Sequence, residues 1–491
     1  MREVLFVMFQ FLTCAFKLHN PSRHKRDVMD FALDQYTRGY AAMLDAVNVD
    51  LLRRDGKYVP KDHPDRWRYT AKSIAPLLAR PQVELHSSVK DSLLQAVAGN
   101  LASYLELERT GANTGFPVCR NPNPVADKHA LDHFIHVGAD QDDYDQSRAK
   151  YLAVARGSVM PVYFCRADAA SQTPKGSARN RNFSLLWNTH KRQLLAVLYL
   201  LPQGHPLGHP LGVTQHLARL DTGEVFKSNS RGAILVPLEM GRNGWQEDKF
   251  LQPAMQDHAT AQTAYLVRDD RSDEYFLHVA FRIECAAQYE PVTWLGIDKG
   301  ILFTAAYAVV SADDGRVVTL GHFDDELRAL QIKHGKERER LARNGKKVMR
   351  RHYKRKAYDN ILHTLANELI AMALKYQAGI VVEDLDIKVR GGRVISRFRK
   401  LDRILRYKCR LAGVPFRSVF AAWSSQICHH CGETMGRDDR LVTCPACGYA
   451  GHSDDNAAVN IARRAMYHKD DWKGRGGHRA FHRSFANTST F

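Results

Sequence analysis

The sequence predicts a multidomain α+β protein, in which a β-rich domain interrupted by a helical insert is followed by a mixed sheet that carries a small cysteine-bearing insert. Three observations carry this expectation. Positions 21–156 show apolar residues recurring at helical spacing, whereas 157–290 consist of short apolar runs broken by turn residues. Three acids, Asp298, Glu383 and Asp454, stand at the end of an apolar run or just before one. Four cysteines, Cys428, Cys431, Cys444 and Cys447, form two C-x-x-C knuckles. At 491 residues the chain is long enough for two to four domains, each with a core of its own.

The stretch Val4–Phe16 is apolar behind Arg2. Glu3 weakens the basic flank that a secretion signal needs, no small-residue cleavage site follows, and the run is too short to span a bilayer. It therefore reads as a buried strand, and 1–20 as the first piece of the β-rich domain. From Ser22 the pattern turns helical, with Val28, Phe31, Ala32, Tyr36, Tyr40, Met43 and Leu44 recurring at three and four. Helical spacing resumes at 71–79 and at 87–107, and a further helix is expected at 142–155, after a loop of Gly, Asn and Pro at 110–127. The helical insert is thus 21–156. Strands are expected at 160–165, 184–187, 194–201, 233–237, 264–267 and 275–285, and the β-rich domain resumes over 157–290. The repeat G-H-P-L-G-H-P-L-G at 204–212 contains two histidines, but its Gly and Pro mark a surface loop rather than a metal site.

A third region, 291–422, begins with strand candidates at 294–298, 303–310 and 316–320, joined by short turns that include D-D-G at 313–315. A long helical stretch follows over 324–377, then a strand at 379–383, a basic helix at 399–412 and a strand at 414–420. This β-β-β-α-β-α-β order is that of an RNase H-like sheet, in which the first and fourth strands are neighbours. That pairing would set Asp298 beside Glu383.

Charge narrows the partners. The net charge is +18, and from Pro291 onward 36 basic residues face 21 acidic ones, so +15 of the excess lies in the last 201 positions. A polyanion, nucleic acid above all, fits that asymmetry. Between Gln331 and Lys356 twelve Lys or Arg accompany only Glu337 and Glu339, a bias suited to a phosphate backbone; Lys346, Lys347, Arg350, Arg351, Lys354 and Arg355 are its candidate contacts. A second basic block over 388–410, with Phe398 and Tyr407 interleaved, follows Glu383 and adds Arg399 and Arg403.

The nine cysteines are not a secreted disulfide framework. Cys14, Cys119, Cys165, Cys285 and Cys409 are scattered and read as core thiols, which fits a reducing, cytoplasmic compartment. The other four read C-x2-C-x12-C-x2-C, with Gly432 and Gly448 just after each knuckle, the geometry of a four-thiolate zinc ribbon over 423–452. One Zn2+ held by Cys428, Cys431, Cys444 and Cys447 leaves no open position, so its role is structural.

An acid at the end of a buried strand is costly unless a cation compensates it. Oxygens from Asp298, Glu383 and Asp454 converging on one point suit Mg2+, with Mn2+ as an alternative, rather than zinc. Two such ions would activate a water and stabilise the leaving oxygen of a phosphodiester.

Together, G-I-D at 296–298, V-V-E-D-L at 381–385, W-S-S-Q-I-C-H-H-C-G at 423–432, C-P-A-C-G at 444–448 and D-D-N-A-A-V-N-I-A at 454–462 resemble the split RuvC domain of TnpB proteins and of the miniature type V CRISPR effectors derived from TnpB. The resemblance covers about 294–466, and the chain's length favours a compact type V effector, of the subtype lettered n. It implies a β-barrel wedge domain (1–20 and 157–290) with a helical recognition insert (21–156), a RuvC nuclease (291–422, with its third motif in 453–468), a target-nucleic-acid-binding zinc ribbon, and a basic tail (469–491). By motif, Asp298, Glu383 and Asp454 match the catalytic set. Asp454 is preferred to Asp455 because the family's acid stands two positions before the Asn of N-A-A, here Asn456. Two departures are Lys299, where the family often has an apolar residue, and H-S-D-D in place of D-R-D. The implied activity is Mg-dependent, RNA-guided DNA cleavage in a prokaryotic cytoplasm. The partners would be a guide RNA (a crRNA with a tracrRNA, or one fused guide) and target double-stranded DNA, with no membrane, and the protein a monomer. Arg440 and the pair Arg463 and Arg464 are further candidates for phosphate contacts. The alternatives are a transposon-encoded TnpB nuclease and a guided DNA-binding protein that silences without cutting.

Overall fold

The computed structural model describes residues 8–59, 67–119, 159–165, 182–211, 216–228, 230–241, 244–269, 272–299, 305–323, 352–384, 393–420, 423–438 and 440–466, with isolated positions at 146, 149 and within 329–344. The helix expected at 142–155 and most of the basic stretch 324–351 therefore lie outside the described residues, as does the tail from 467. The chain forms two compact units, Phe11–Ile283 and a second made of Met1–Gln10 with Glu284–Phe491.

In the first unit, strand β1 (Phe9–Leu18) leads into α1 (Arg23–Asp45), which buries Val28, Met29, Leu33 and Tyr36. Then come α2 (Val49–Asp55), the short pair β2 (Lys57–Tyr58) and β3 (Arg68–Tyr69), α3 (Ala71–Ile74) and α4 (Ser87–Arg109). Helix α4 turns Val89, Leu93, Val97 and Leu101 inward, the stripe its sequence period requires. The remaining strands are β4 (Val162–Phe164), β5 (Phe183–Asn188), β6 (Gln193–Tyr199), β7 (Leu217–Arg219), β8 (Ala233–Glu239), β9 (Ala259–Asp269) and β10 (Glu274–Glu284), with α5 (Gln252–Met255) ahead of β9. They make one eight-stranded sheet in the order β4-β9-β10-β1-β8-β6-β5-β7. The first strand of the chain is thus central, and the helices inserted after it dock back on the sheet. One fastening is Asp30, whose buried carboxylate accepts hydrogen bonds from Arg268 Nη1 at 2.8 Å and Tyr275 OH at 2.6 Å.

The expected barrel is borne out in part, as an open, curled half-barrel sheet. Its two edge strands, β4 and β7, have three residues each, too few ladder bonds to close the sheet on itself. In the Gly-Pro repeat, His205 packs on Phe31 with ring centroids 4.9 Å apart, and its Nε2 lies 3.3 Å from Glu84 Oε2. The repeat is a loop, as expected, but its His205 is docked rather than surface-facing.

The second unit carries β11 (Thr293–Asp298), β12 (Ala305–Ser311), β13 (Val317–Phe323), α6 (His352–Lys375), β14 (Ala378–Asp384), α7 (Arg393–Ala412), β15 (Phe416–Phe420), β16 (Gly436–Asp438), β17 (Leu441–Thr443), β18 (Ala450–His452) and α8 (Ser453–Arg464). Five strands form a mixed sheet in the order β13-β12-β11-β14-β15, in which β11, β14 and β15 are parallel and the other pairs antiparallel. The first and fourth strands of the region are neighbours, as its element order predicted. Alternation along the strands divides the sheet into two faces. Leu295, Ile297, Ile380 and Val382 pack with Leu362, Leu369, Ile404 and Leu405 of α6 and α7, while Trp294, Val381 and Ala308 pack with Ala458, Ile461 and Ala462 of α8. Strands β16, β17 and β18 form a separate small sheet beside the cysteines. No helix among the described residues is long and apolar enough to cross a membrane.

Candidate active site

The two-residue period that puts Trp294 and Gly296 on the α8 face puts Asp298 there too, and Glu383 follows Val381 on the same face. Register completes the pairing: Ile297 lies opposite Val382 in parallel strands, so the two acids stand at adjacent positions on adjacent strand ends. Asp454 comes from the first turn of α8, one turn before Ala458. Ala458 and Ala462 lie so close to Gly296 that a Cβ there would fall 2.3 Å from Ala458 O and 2.4 Å from Ala462 N. The missing side chain lets the helix lie directly on β11, and a helix face repeating at i and i+4 carries Asp454 toward Asp298.

Electrostatics ties the other two acids to Asp298. Burial first, then the charges of Glu383 and Asp454, push the Asp298 carboxyl well above the usual carboxylate range, against the opposing charge of Lys299. Burial also raises Glu383, which is 7% exposed, and it is opposed there by the Ser424 hydroxyl, Arg464 and Lys299. Ser424 Oγ donates to Glu383 Oε1 at 2.6 Å. Among the described residues, only the four cysteines bring three or more ligand atoms within 4.8 Å of one another, so the three carboxylates are gathered with wider spacing than the thiols. Asp455 points elsewhere: its Oδ1 lies 2.9 Å from His322 Nε2.

Several neighbours support the acids. Lys299 is buried, donating to Glu383 O at 3.0 Å and to the Asp402 oxygens at 2.9 and 2.8 Å. Asn456 and Asn460, one turn apart on α8, both donate to Ser424 O and Ile427 O, at 3.2 and 2.8 Å and at 2.7 and 2.8 Å. Asn456 Oδ1 also accepts from the His429 backbone N–H at 2.9 Å. Helix α8 thereby clamps the segment that carries both Ser424 and the first knuckle. Burial lowers His429 to about 4, keeping its ring neutral. The pair Arg463 and Arg464 is not surface-facing. Both are buried, donating to the carbonyls of Gly315, His429 and Phe420, and burial brings Arg464 down to about 10. They brace the site from within, so the phosphate contacts expected of them are not available.

The four cysteines converge. Cys428 Sγ lies 3.6 Å from Cys447 Sγ and Cys431 Sγ 3.4 Å from Cys444 Sγ, close to the ~3.8 Å edge of a tetrahedral four-thiolate site. Each knuckle ends in a glycine at positive φ, Gly432 at 77° and Gly448 at 75°, whose N–H bonds back to the first cysteine's carbonyl at 2.9 Å. Only glycine takes that turn without strain. Burial raises Cys428, and raises Cys431 to about 11. At Cys444 burial is outweighed by the N–H groups of Cys447 and Ala446, which bring it down to about 7. Elsewhere burial drives Cys14 and Cys409 up to about 12, as expected of core thiols.

Of the expected nucleic-acid contacts, Arg399 and Arg403 are exposed on α7, where Arg406 and Arg410 extend the same row, and Arg440 is half-buried. Lys354 and Arg355 fall within α6, but their side chains lie outside the described residues, as do Lys346, Lys347, Arg350 and Arg351 altogether. Asp402 lies in no motif, Lys299 stands out in the sequence only as a departure and Ser424 only as part of W-S-S-Q, because the partner of each lies far along the chain. The Asn-x3-Asn spacing of 456 and 460 was the one visible signal, since it sets two amides on one helix face.

A family described as Cas12f1-like, TNB domain, matches residues 398–461. The CRISPR-associated endodeoxyribonuclease Cas12f2 of Micrarchaeota archaeon (strain CG1_02_47_40) is 27% identical over 236 residues, 41% of this chain and 43% of that protein. Cas12f1 of Sulfoacidibacillus thermotolerans is 25% identical over 219 residues, 40% of this chain and 52% of that one. The chain thus spans about half the length of the curated relatives it matches. Among solved structures, a Cas12f1-sgRNA-target DNA complex aligns with TM-score 0.50 at 12% identity, covering 93% of this chain and 99% of that one, a likeness of fold.

Proposed function

We propose, for a chain that belongs to the Cas12f family of TnpB-derived miniature type V CRISPR effectors, that it is an RNA-guided DNA endonuclease with one cutting site, built from Asp298, Glu383 and Asp454. The observation that carries this reading is the meeting of two adjacent strand-end acids with an acid from the first turn of a helix laid on the same sheet face. In this reading the mixed sheet and α8 are a RuvC domain (291–422 and 453–468), 423–452 is a zinc ribbon, the half-barrel is a wedge domain (1–20 and 157–290), 21–156 is a recognition insert and 469–491 a basic tail.

The donor sets fit the two metals differently. Four thiolates at tetrahedral spacing suit one structural Zn2+. Hard carboxylate oxygens suit Mg2+, and a pair of such ions, when bound, would supply an activated water and stabilise the departing oxygen of the phosphodiester. The chain's own residues do the rest. Ser424 fixes one oxygen of Glu383 and leaves the other for the site. Lys299 and Arg464 supply buried positive charge beside Glu383, and Lys299 also opposes the charges of Glu383 and Asp454 that resist the ionisation of Asp298. Arg399 and Arg403 offer an exposed track for the phosphates of the displaced DNA strand. Guide RNA, as a crRNA with tracrRNA or a fused guide, would pair with one strand of the target duplex while the protein senses the shape of the hybrid. A monomer acting in the cytoplasm completes the proposal.

The test is cleavage of a plasmid library, bearing a matched target beside randomised flanking bases, by the purified protein with its native RNA and Mg2+. Cuts that require guide, magnesium and one flanking motif support the nuclease. Guide-dependent binding without any cut would replace it with silencing by occupancy.

A further inference from the structure

Asp402 is the one acid of the basic helix α7, and it faces inward while the arginines around it face out. Arg399, Arg403, Arg406 and Arg410 are exposed, whereas Leu401, Leu405 and Cys409 are buried. At 100° per residue those four arginines fall within about 60° of arc, beginning about 40° round the helix from Asp402. The core residues Leu401, Ile404 and Leu405 and the bond from Lys408 Nζ to His363 O seat the helix, and whatever holds Asp402 adds the polar contact that aligns the arginine row.

What holds it is Lys299. The ammonium donates to Asp402 Oδ1 and Oδ2 at 2.9 and 2.8 Å and, with its remaining proton, to the backbone carbonyl of Glu383 at 3.0 Å. All three protons of the group are used, and the lysine side chain is fully buried. Lys299 also follows Asp298 directly in sequence. One ammonium, carried by the residue that follows the first acid, thus touches the main chain of the second acid and the helix that carries the arginines. Buried ion pairs are weak contributors to stability, since the desolvation of both charges offsets their attraction. An apolar pair of similar volume would hold the helix to the sheet at least as firmly, but it would not fix direction as three hydrogen bonds do.

We propose that Lys299 and Asp402 are positioning residues that lock the arginine row of α7 in register with Asp298 and Glu383, so that a DNA strand tracked by the row presents one particular phosphodiester to the acids. The proposal rests on the nuclease reading above and adds to it a determinant of where the strand is cut. A helix slip of one residue moves the row by about 1.5 Å and turns it by about 100°, while successive phosphates of a strand are separated by about 3.4 Å of rise. Loosening the lock therefore spreads cleavage over neighbouring positions rather than abolishing binding.

The experiment compares the wild type, Lys299→Met/Asp402→Leu, and Asp402→Glu, each with guide RNA, on end-labelled matched DNA. Thermal midpoint, DNA affinity, cutting rate and cut positions are read together. The double variant removes both buried charges at once, so it folds and binds as the wild type does. It is expected to cut on the order of a hundredfold more slowly, over a broadened set of positions. Asp402→Glu keeps the charge but lengthens the arm, and is expected to shift the cut distribution with the thermal midpoint unchanged. A purely structural pair would move the midpoint and leave the positions alone. If either folded variant cuts at wild-type positions and rate, the proposal is overturned. A wild type that binds guided DNA and never cuts would sink the nuclease reading itself, and the proposal with it.

Discussion

Replacing Gly296 by alanine adds one methyl group at the contact on which the acidic site depends. That Cβ would fall 2.3 Å from Ala458 O, 2.4 Å from Ala462 N and 2.8 Å from Ala462 Cβ. Two of the three neighbours are main-chain atoms, so no side-chain rotation relieves the clash, and α8 must retreat by roughly 1 Å to restore contact. Overpacking of this kind costs about 1–3 kcal/mol. The functional cost is larger, because Asp454 rides on α8 while Asp298 stays on β11. A displacement near 1 Å between groups that act on one reacting centre slows the reaction on the order of a hundredfold. The assay pairs urea unfolding with guided cleavage of matched DNA under single-turnover conditions. Wild-type stability with wild-type cutting in Gly296→Ala would refute the argument that α8 is seated on Gly296 and that its seating sets the position of Asp454.

The other predictions concern the clamp, the charge of the acids and the arginine row. Asn460→Ala leaves Ser424 O and Ile427 O served by Asn456 and costs about 1 kcal/mol, whereas Asn456→Ala also orphans a buried His429 N–H and costs about 1–3 kcal/mol; the double variant exceeds the sum in chemical denaturation because the two amides share their acceptors. The Asp298 carboxyl lies above its ordinary 3.8, so its ionisation costs the metal-free fold stability, in full above the raised value and not at all below 3.8. Asp298→Asn is accordingly more thermostable than the wild type at pH 8 without metal, with a gain that shrinks as the pH falls toward 4, and Mg2+ narrows the difference by stabilising only the wild type. Replacing Arg399 and Arg403 by glutamine weakens DNA binding alike for all sequences and lowers the slope of log affinity against log salt by about 2, measured by fluorescence anisotropy.

Much of this architecture is legible in the sequence because it is local. Strands ending in an acid declare themselves, and the β-β-β-α-β-α-β element order is enough to expect the first and fourth strands, with Asp298 and Glu383 at their ends, side by side. The cysteine knuckles are legible for the same reason, since C-x-x-C-G encodes its own turn. Two features depend on contacts no local pattern contains. The Lys299–Asp402 pair joins residues 103 positions apart, and a lone lysine after a strand looks like any solvated cap. Arg463 and Arg464 read as candidate phosphate contacts, yet the helix that presents Asp454 turns them inward onto carbonyls. The half-barrel shows a third limit: edge strands of three residues decide whether a sheet closes, and that length is set by the tertiary course of the chain.

The most direct test of the central claim is single-turnover cleavage of one matched, guided target by Asp298→Asn, Glu383→Gln, Asp454→Asn and Asp455→Asn, with DNA affinity measured alongside. A single site formed by three acids predicts that the first three variants bind the target and lose cutting together, while Asp455→Asn, whose carboxylate faces His322, goes on cutting. Cutting preserved in any of the first three, or lost in Asp455→Asn with Asp454→Asn still active, would contradict it.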